Sequence, residues 1–333
     1  MTKQPKFSDS GPGASHLSLP VDPDDPSACI AWLRERYMKN PRDQLFESAL
    51  EEILETDKNG RLTAVPQRIG LVKETRGVLV TGQTGAGKTA LIRRNLIRHD
   101  GIGLTDGIGP GNALYLRVPA EATLKGVAAK ILTETGYDKF NPRLNTMELW
   151  EMAVRRFAVR DISILWIDEA HHMLEITKEV TAVLRRLKSL MQGEKSLALI
   201  ISGIHKLDEK VRTDGETSER FTRVQLGPIR TDQEREDLRR FVDLCCSHVK
   251  IAPIEDPDFV GRLEFATHGS IGRSIEFCHS AILRALRRGD GQLTLADFRQ
   301  GLELKRGFPD VGPFDPEDWP RLKESLESRG WMA

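Results

Sequence analysis

In the run GVLVTGQTGAGKTALI, Gly82, Gly87, Lys88 and Thr89 stand at the spacing G-x-x-x-x-G-K-[ST], with Gly85 as a further glycine inside the loop. The residues before them, Val78 to Thr81, are aliphatic or β-branched and predict a buried strand. Those after them, Ala90, Leu91, Ile92 and Leu96, take helical spacing. A strand, a glycine-rich turn and a helix start bring several backbone N–H groups and a helix N-terminus to one point, which is a site for phosphate oxygens. The whole loop, Gly82, Gln83, Thr84, Gly85, Ala86, Gly87, Lys88, Thr89 and Ala90, is expected to cradle a nucleotide. Lys88 would neutralise the β- and γ-phosphates, and the Thr89 hydroxyl would bind Mg²⁺.

Eighty positions after Lys88, the apolar run Ile162 to Ile167 ends in Asp168 and Glu169. The carboxyl end of such a strand is where an open α/β sheet meets its ligand. Asp168 is therefore expected as a second Mg²⁺ group and Glu169 as the carboxylate that polarises an attacking water. Ser202 ends another apolar run and is expected to reach the γ-phosphate or that water. In SERFTRVQL, Arg220 or Arg223 is expected to act as an arginine finger on a neighbour's nucleotide, and Arg273 in GSIGRSIEF to touch the γ-phosphate in cis. Neighbouring His171 and His172 are not expected to converge on a metal.

Strands at 78–81, 113–118, 162–167, 197–202 and 223–226 alternate with helical patterns, among them one with Met147, Trp150, Val154 and Phe157 on one face. Continuous apolar strands of this kind predict an α/β fold with a parallel sheet covered on both faces. Composition changes at Gly227 and Pro228. Beyond them the chain reads as helical, with Thr231 and Glu234 as a capping box, Asp256 and Pro257 as a helix start, and a weaker box at Thr294 and Asp297. The expected organisation is a disordered leader (1–27), a helical N-terminal extension (28–76) bracing the first strand, a nucleotide-binding core (77–228), a helical lid (229–306) and a proline-rich tail (307–333) on the surface or mobile. The glycine-rich stretch 101–111 is expected to be a flexible connection.

The 49 basic and 49 acidic residues cancel, so no overall field advertises a polyanionic partner, and any DNA contact must be local. Cys29, Cys245, Cys246 and Cys278 have no metal-ligand spacing and are expected as reduced, buried thiols. No apolar run is long enough to span a bilayer, so a cytoplasmic protein without membrane contact is expected. His205, Lys206, Leu207 and Asp208 imitate the x-K-x-D guanine signature, but Asp168 opens Asp-Glu-Ala-His where GTPases carry D-x-x-G. Adenine is favoured.

The glycine loop, the Asp168–Glu169 strand end, Ser202, Arg220 and Arg273, followed by a helical lid, resemble an AAA+ ATPase of the initiator-like branch, over roughly residues 30 to 305. Within it, VLVTGQTGAGKTALI, IDEAHHM, the helical extension and the short lid with GSIGRSIEF resemble the TniB and TnsC transposition regulators, relatives of the phage Mu B protein. The resemblance implies a P-loop AAA+ parallel-sheet sandwich with a helical lid, an Mg²⁺-dependent ATPase that forms rings or helical filaments on double-stranded DNA. It implies partnership with a transposase and a target-selection protein, with hydrolysis driving disassembly. It also places DNA contact at the edge carrying Thr123 and Lys125. The charged face of the helix expected over 178–192, with Lys178 and Arg185, is the other candidate. The alternatives are a replication initiator or loader of the same branch and a secretion-associated ATPase.

Overall fold

The computed structural model of the chain describes residues 25–107, 109–120, 122–174, 180–306 and 312–328. Along it come α1 (Pro26–Arg34), α2 (Pro41–Glu51), β1 (Leu54–Thr56), β2 (Leu62–Pro66), β3 (Gly77–Gly82), α3 (Lys88–Ile97), β4 (Leu104–Thr105), β5 (Ala113–Arg117), α4 (Leu124–Glu134) and α5 (Thr146–Val159). Next are β6 (Ile164–Asp168), a 3₁₀ turn (Ala170–Leu174), α6 (Val180–Leu190), β7 (Ala198–Gly203), α7 (His205–Val211), α8 (Gly215–Ser218) and β8 (Phe221–Leu226). The remainder is helical: α9 (Asp232–His248), α10 (Phe259–Thr267), α11 (Ile271–Arg288), α12 (Leu295–Arg306) and α13 (Trp319–Glu327).

Contacts divide the chain into two units. One holds Arg42–Thr84 and Lys88–Leu226; the other holds the chain up to Pro41, Gly85–Gly87 and the chain from Gly227. In the first unit, six parallel strands among the described residues take the order β4-β5-β6-β7-β3-β8. Every residue of β3, β6 and β7 is buried, which is why these strands read as unbroken apolar runs rather than alternating ones. Helix α5 starts at a capping box of Asn145 and Glu148 and turns Leu149, Trp150, Ala153 and Phe157 inward. Met147 and Val154, expected on that face, are exposed, because a four-residue sampling of the stripe picks its edges as readily as its centre.

In the second unit α9 also starts at a capping box, Thr231 with Glu234, and packs with α10, α11 and α12 around Leu238, Phe241, Leu263, Ile282 and Phe298. The four cysteines are buried, and burial pushes the Cys246 thiol up to about 12. Helix α10 begins at Phe259 rather than at Pro257, because the Asp256 carboxylate is engaged by the Asp258 N–H at 2.7 Å and by Arg262. No helix among the described residues is long and apolar enough to cross a membrane.

Three further expectations change. The 28–76 extension is not all helical: β1 and β2 pair antiparallel across a turn in which Asp57 Oδ1 accepts the N–H groups of Asn59 and Arg61 and Gly60 takes φ 73°. Nor does all of it brace the first strand. Cys29, Ile30, Trp32 and Leu33 of α1 join the core of the second unit, while α2 stays beside α3, with Asn95 Nδ2 donating to Asp43 Oδ1 at 2.8 Å. The glycine-rich stretch carries the edge strand β4, too short to register as a periodic run. Most of the expected leader, and 307–311 and 329–333 of the tail, lie outside the described residues.

Within the tail Phe314 is buried and stacks on Phe298 with ring centroids 5.2 Å apart, and Trp319 Nε1 donates to Asp258 at 3.0 Å. Phe314→Ala should therefore destabilise the helical unit by about 3–5 kcal/mol, read as a lowered thermal midpoint; an unchanged midpoint would mean the tail is not part of that core.

Candidate functional site

The chain leaves β3 at Gly82 and enters α3 at Lys88, and Gly85 and Gly87 between them take φ of 80° and 89°. Those left-handed values are what a non-glycine residue resists, so the glycines set the turn that aims the loop N–H groups. Lys88 Nζ donates to the carbonyls of Gly82 and Gln83 at 3.0 and 3.1 Å. Burial pushes its ammonium below the ordinary lysine range, while the charges of Glu169 and Asp168 pull it back up. A desolvated cation at a helix N-terminus is a place where an added anion gains the most.

Asp168, almost wholly buried at the end of β6, is the hub. Its Oδ2 accepts from Thr89 Oγ1 at 2.8 Å and from Tyr115 Oη at 3.4 Å; its Oδ1 accepts from Ser202 Oγ at 2.6 Å and from the Glu169 N–H at 3.1 Å. Ser202 in turn accepts from Trp166 Nε1 at 3.0 Å. Its hydroxyl proton thus goes to Asp168 and one of its lone pairs to the indole. Tyr115 and Trp166 carry no motif in the sequence; only the pairing of β5 with β6 and of β6 with β7 brings them here. Burial first, and then the Asp168 charge, push the Tyr115 phenol up. The Thr89 hydroxyl and the Asp168 carboxylate are both oxygen donors, the set a hard divalent cation takes, so these residues fit Mg²⁺.

Glu169 follows with φ 56° and its Oε2 3.3 Å from His171 Nδ1. His171 and His172, which were not expected to converge on a metal, bring ring centroids to 4.1 Å, and with Glu169 place three ligand-type atoms within 4.8 Å of one another. The His172 N–H donates to the Glu169 carbonyl at 3.0 Å, the i to i+3 bond of a 3₁₀ turn, which brings residues three apart to one side.

Arg220 is at the opposite end of the sheet. It precedes β8, its carbonyl accepts the Gly77 N–H at 2.9 Å, and its guanidinium pairs with Glu74 at 2.7 Å. A cavity of about 370 Å³ there is lined by Glu74, Arg76, Lys188, Gln192, Glu216 and Arg220, among others. Arg223 is bound to Asp208 Oδ1 at 2.8 Å and to Ser218 Oγ at 2.6 Å. The same Asp208 accepts from Arg212, so the carboxylate of the guanine-like run is spent on arginines. In the second unit Ser270 Oγ donates to the Gly85 carbonyl at 2.9 Å, and a Cβ on Gly85 would lie 2.7 Å from Arg273 Cγ, so the arginine stem covers that glycine.

Of the residues weighed for DNA, Thr123 caps α4 through the Gly126 N–H and Lys125 Nζ donates to the Pro142 carbonyl at 3.0 Å. Arg185 is exposed on α6, and Lys178 lies outside the described residues.

A family model described as bacterial TniB protein matches residues 35–231, more than half of the chain. No curated protein matches the chain in sequence. Among solved structures it is similar to Cdc6p from Pyrobaculum aerophilum, at 14% identity and TM-score 0.53, over 84% of this chain and 70% of that one. It is also similar to the ORC1 protein of Aeropyrum pernix in complex with DNA, at 17% and 0.49, over 68% of this chain and 59% of that one. A Walker-type ATPase of Pyrococcus abyssi matches at 15% and 0.48, over 89% and 77%. The fold likeness rests on the first of these, and it is a likeness of fold: an α/β sheet followed by a helical region.

The Glu74–Arg220 pair has a pH signature. The Arg220 hydrogen bond, and then the Gln192 amide, hold the Glu74 carboxyl down from its ordinary 4.5 to about 2. A carboxyl lowered by folding stabilises above its unfolded value and loses that contribution as pH falls through the folded one. The stability difference between wild type and Glu74→Gln should stay constant above pH 4.5 and shrink between 4.5 and about 2, measured as urea midpoints across pH.

Proposed function

Because the chain belongs to the TniB family of bacterial proteins, and because Thr89, Asp168, Ser202 and Glu169 converge at the carboxyl edge of its sheet, we propose that it is an ATP-dependent regulator of DNA transposition. In this reading it hydrolyses ATP in the cytoplasm and assembles as a ring or helical filament on double-stranded DNA. It marks the target and engages a transposase and a target-selection protein. The convergence on Asp168 is the observation that carries the ATPase part; family membership supports the transposition part.

The steps follow from the residues. The loop from Gly82 to Ala90 binds the triphosphate through its N–H groups, and Lys88 neutralises the β- and γ-phosphates. Thr89 and Asp168 would hold Mg²⁺, which when bound would supply positive charge beside the phosphate oxygens. Ser202 and Trp166 keep the Asp168 carboxylate turned toward Thr89. Glu169 polarises the attacking water, and Arg273, beside Gly85, contributes positive charge to the bound nucleotide. Arg220 serves as the finger for a neighbouring subunit, since its place at the amino end of β8 keeps it from its own loop; the many partners of Arg223 favour Arg220 over it.

DNA is held through its phosphates without base readout. Arg185 is the more available of the described candidates, because Thr123 and Lys125 already have partners. Affinity then falls with salt by about 0.9 in log–log slope per phosphate contacted.

Duplex binding should be strong with ATP and weak with ADP or no nucleotide; equal binding in all three states would sink the proposal. Glu169→Gln should retain ATP while hydrolysis drops by about 100-fold or more and the DNA-bound assembly lives longer, followed by phosphate release and fluorescence anisotropy. Arg220→Ala should lose hydrolysis by about 1,000-fold only under conditions where the wild type assembles. A defect of equal size in dilute, unassembled protein would move Arg220 out of the neighbour's site.

A further inference from the structure

The end of β6 fixes the backbone of Glu169 but not the direction of its carboxylate. The residue sits at φ 56°, a left-handed conformation that strains a non-glycine residue and persists only where the surroundings enforce it. Two residues on, within the 3₁₀ turn, His171 Nδ1 lies 3.3 Å from Glu169 Oε2. The imidazole is itself held. His171 is 8% exposed, and a Cβ added at Gly203 would come within 3.0 Å of its Nδ1, 3.1 Å of Leu207 Cδ2 and 3.4 Å of the His171 amide nitrogen.

Gly203 is the last residue of β7, directly after Ser202 and opposite Thr81 of β3. It lies in strand, outside the positive-φ glycines, so the backbone there does not call for glycine. What the missing side chain supplies is room for the ring. A carboxylate that must polarise water needs a fixed direction, and a contact from a packed imidazole gives one at the same strand edge that carries Asp168 and Ser202.

We propose that His171 is a positioning residue for Glu169: packed against Gly203, its imidazole holds the Glu169 carboxylate in the direction from which it activates water. The inference rests on the hydrolytic role given to Glu169 above. His171 touches neither nucleotide nor water in this scheme and acts through the carboxylate alone. Hydrolysis should therefore depend on it while nucleotide affinity does not.

The test measures kcat for ATP hydrolysis and the Kd for ATP in wild type, His171→Ala, His171→Gln, Gly203→Ala, Glu169→Gln and the His171→Ala/Glu169→Gln double variant. His171→Ala should lower kcat by about 10- to 100-fold with Kd unchanged. His171→Gln, which keeps bulk and an N–H donor, should recover part of the loss, and Gly203→Ala, which pushes the ring away, should reproduce it. In the Glu169→Gln background His171→Ala should cost nothing more, since the group it positions is gone.

A kcat within about twofold of wild type in His171→Ala, a loss shared equally with ATP affinity, or the same further loss in the Glu169→Gln background would each overturn the proposal. Should the wild type itself fail to hydrolyse ATP, the hydrolytic reading falls on its own. The contact is then judged by the coupling between positions 169 and 171 in urea unfolding of the single and double variants. Absent coupling would overturn it, and present coupling would leave His171 holding Glu169.

Discussion

A carboxylate taken out of water must be met by hydrogen-bond donors, and Asp168 meets that demand with groups from four places in the chain. Thr89 comes from the start of α3, Tyr115 from β5, Ser202 from β7 and the Glu169 N–H from its own chain direction. Because β5, β6, β7 and β3 run parallel, their carboxyl ends meet at one edge, and a single anion there can be satisfied only if the register of all four strands is correct. The network therefore does two things. It holds the oxygens that would face a metal ion, and it ties the start of α3 to the centre of the sheet.

The polar chain extends inward as well as outward. Trp166 lies on β6 two residues before Asp168, and its indole N–H, which burial obliges to find an acceptor, takes Ser202. Tyr115 packs its ring against Trp166 with centroids 4.4 Å apart. The orientation of Ser202, and through it of Asp168, thus rests on aromatic packing deep in the sheet. Gly203 repeats the pattern one residue later, since it leaves space that the His171 ring fills. The edge that would do chemistry is built from the ends of buried strands rather than from loops, which gives it the stiffness of the sheet.

How much of this the sequence revealed depends on how local each feature is. The loop from Gly82 to Thr89 and the Asp168–Glu169 strand end are contiguous signals, and long apolar runs marked the five strands. Ser202 was legible as a strand end, but its partners were not, because nothing in a single sequence states that β7 lies between β6 and β3. Tyr115 and Trp166 looked like ordinary strand residues for the same reason. The approach of His171, His172 and Glu169 was not legible, because nothing in the sequence marks the stretch after β6 as a 3₁₀ turn. Strand β4 has too few residues to show a period, and the Asn59–Gly60 turn between β1 and β2 was a readable hairpin signal that the helical pattern around it obscured. Helix α1 was assigned by its place in the chain, whereas its apolar face is spent on the helical unit.

The two ends of a parallel sheet cannot substitute for each other. From Phe221, paired with Gly77, to Leu226, paired with Gly82, β8 spans about 17 Å, so Arg220 and the phosphate loop are separated by more than a side chain can reach. Any phosphate that Arg220 meets must come from outside its own subunit. In this structure Glu74 pairs with the guanidinium, beside a cavity that also carries Arg76 and Lys188. A neighbour's triphosphate entering there would exchange one carboxylate for several phosphate oxygens, a trade that favours the arginine only if Glu74 is left with Gln192 and solvent rather than buried alone. The exposure of about a quarter of the Glu74 side chain and its bond from Gln192 meet that condition, so the pair can open without stranding a charge.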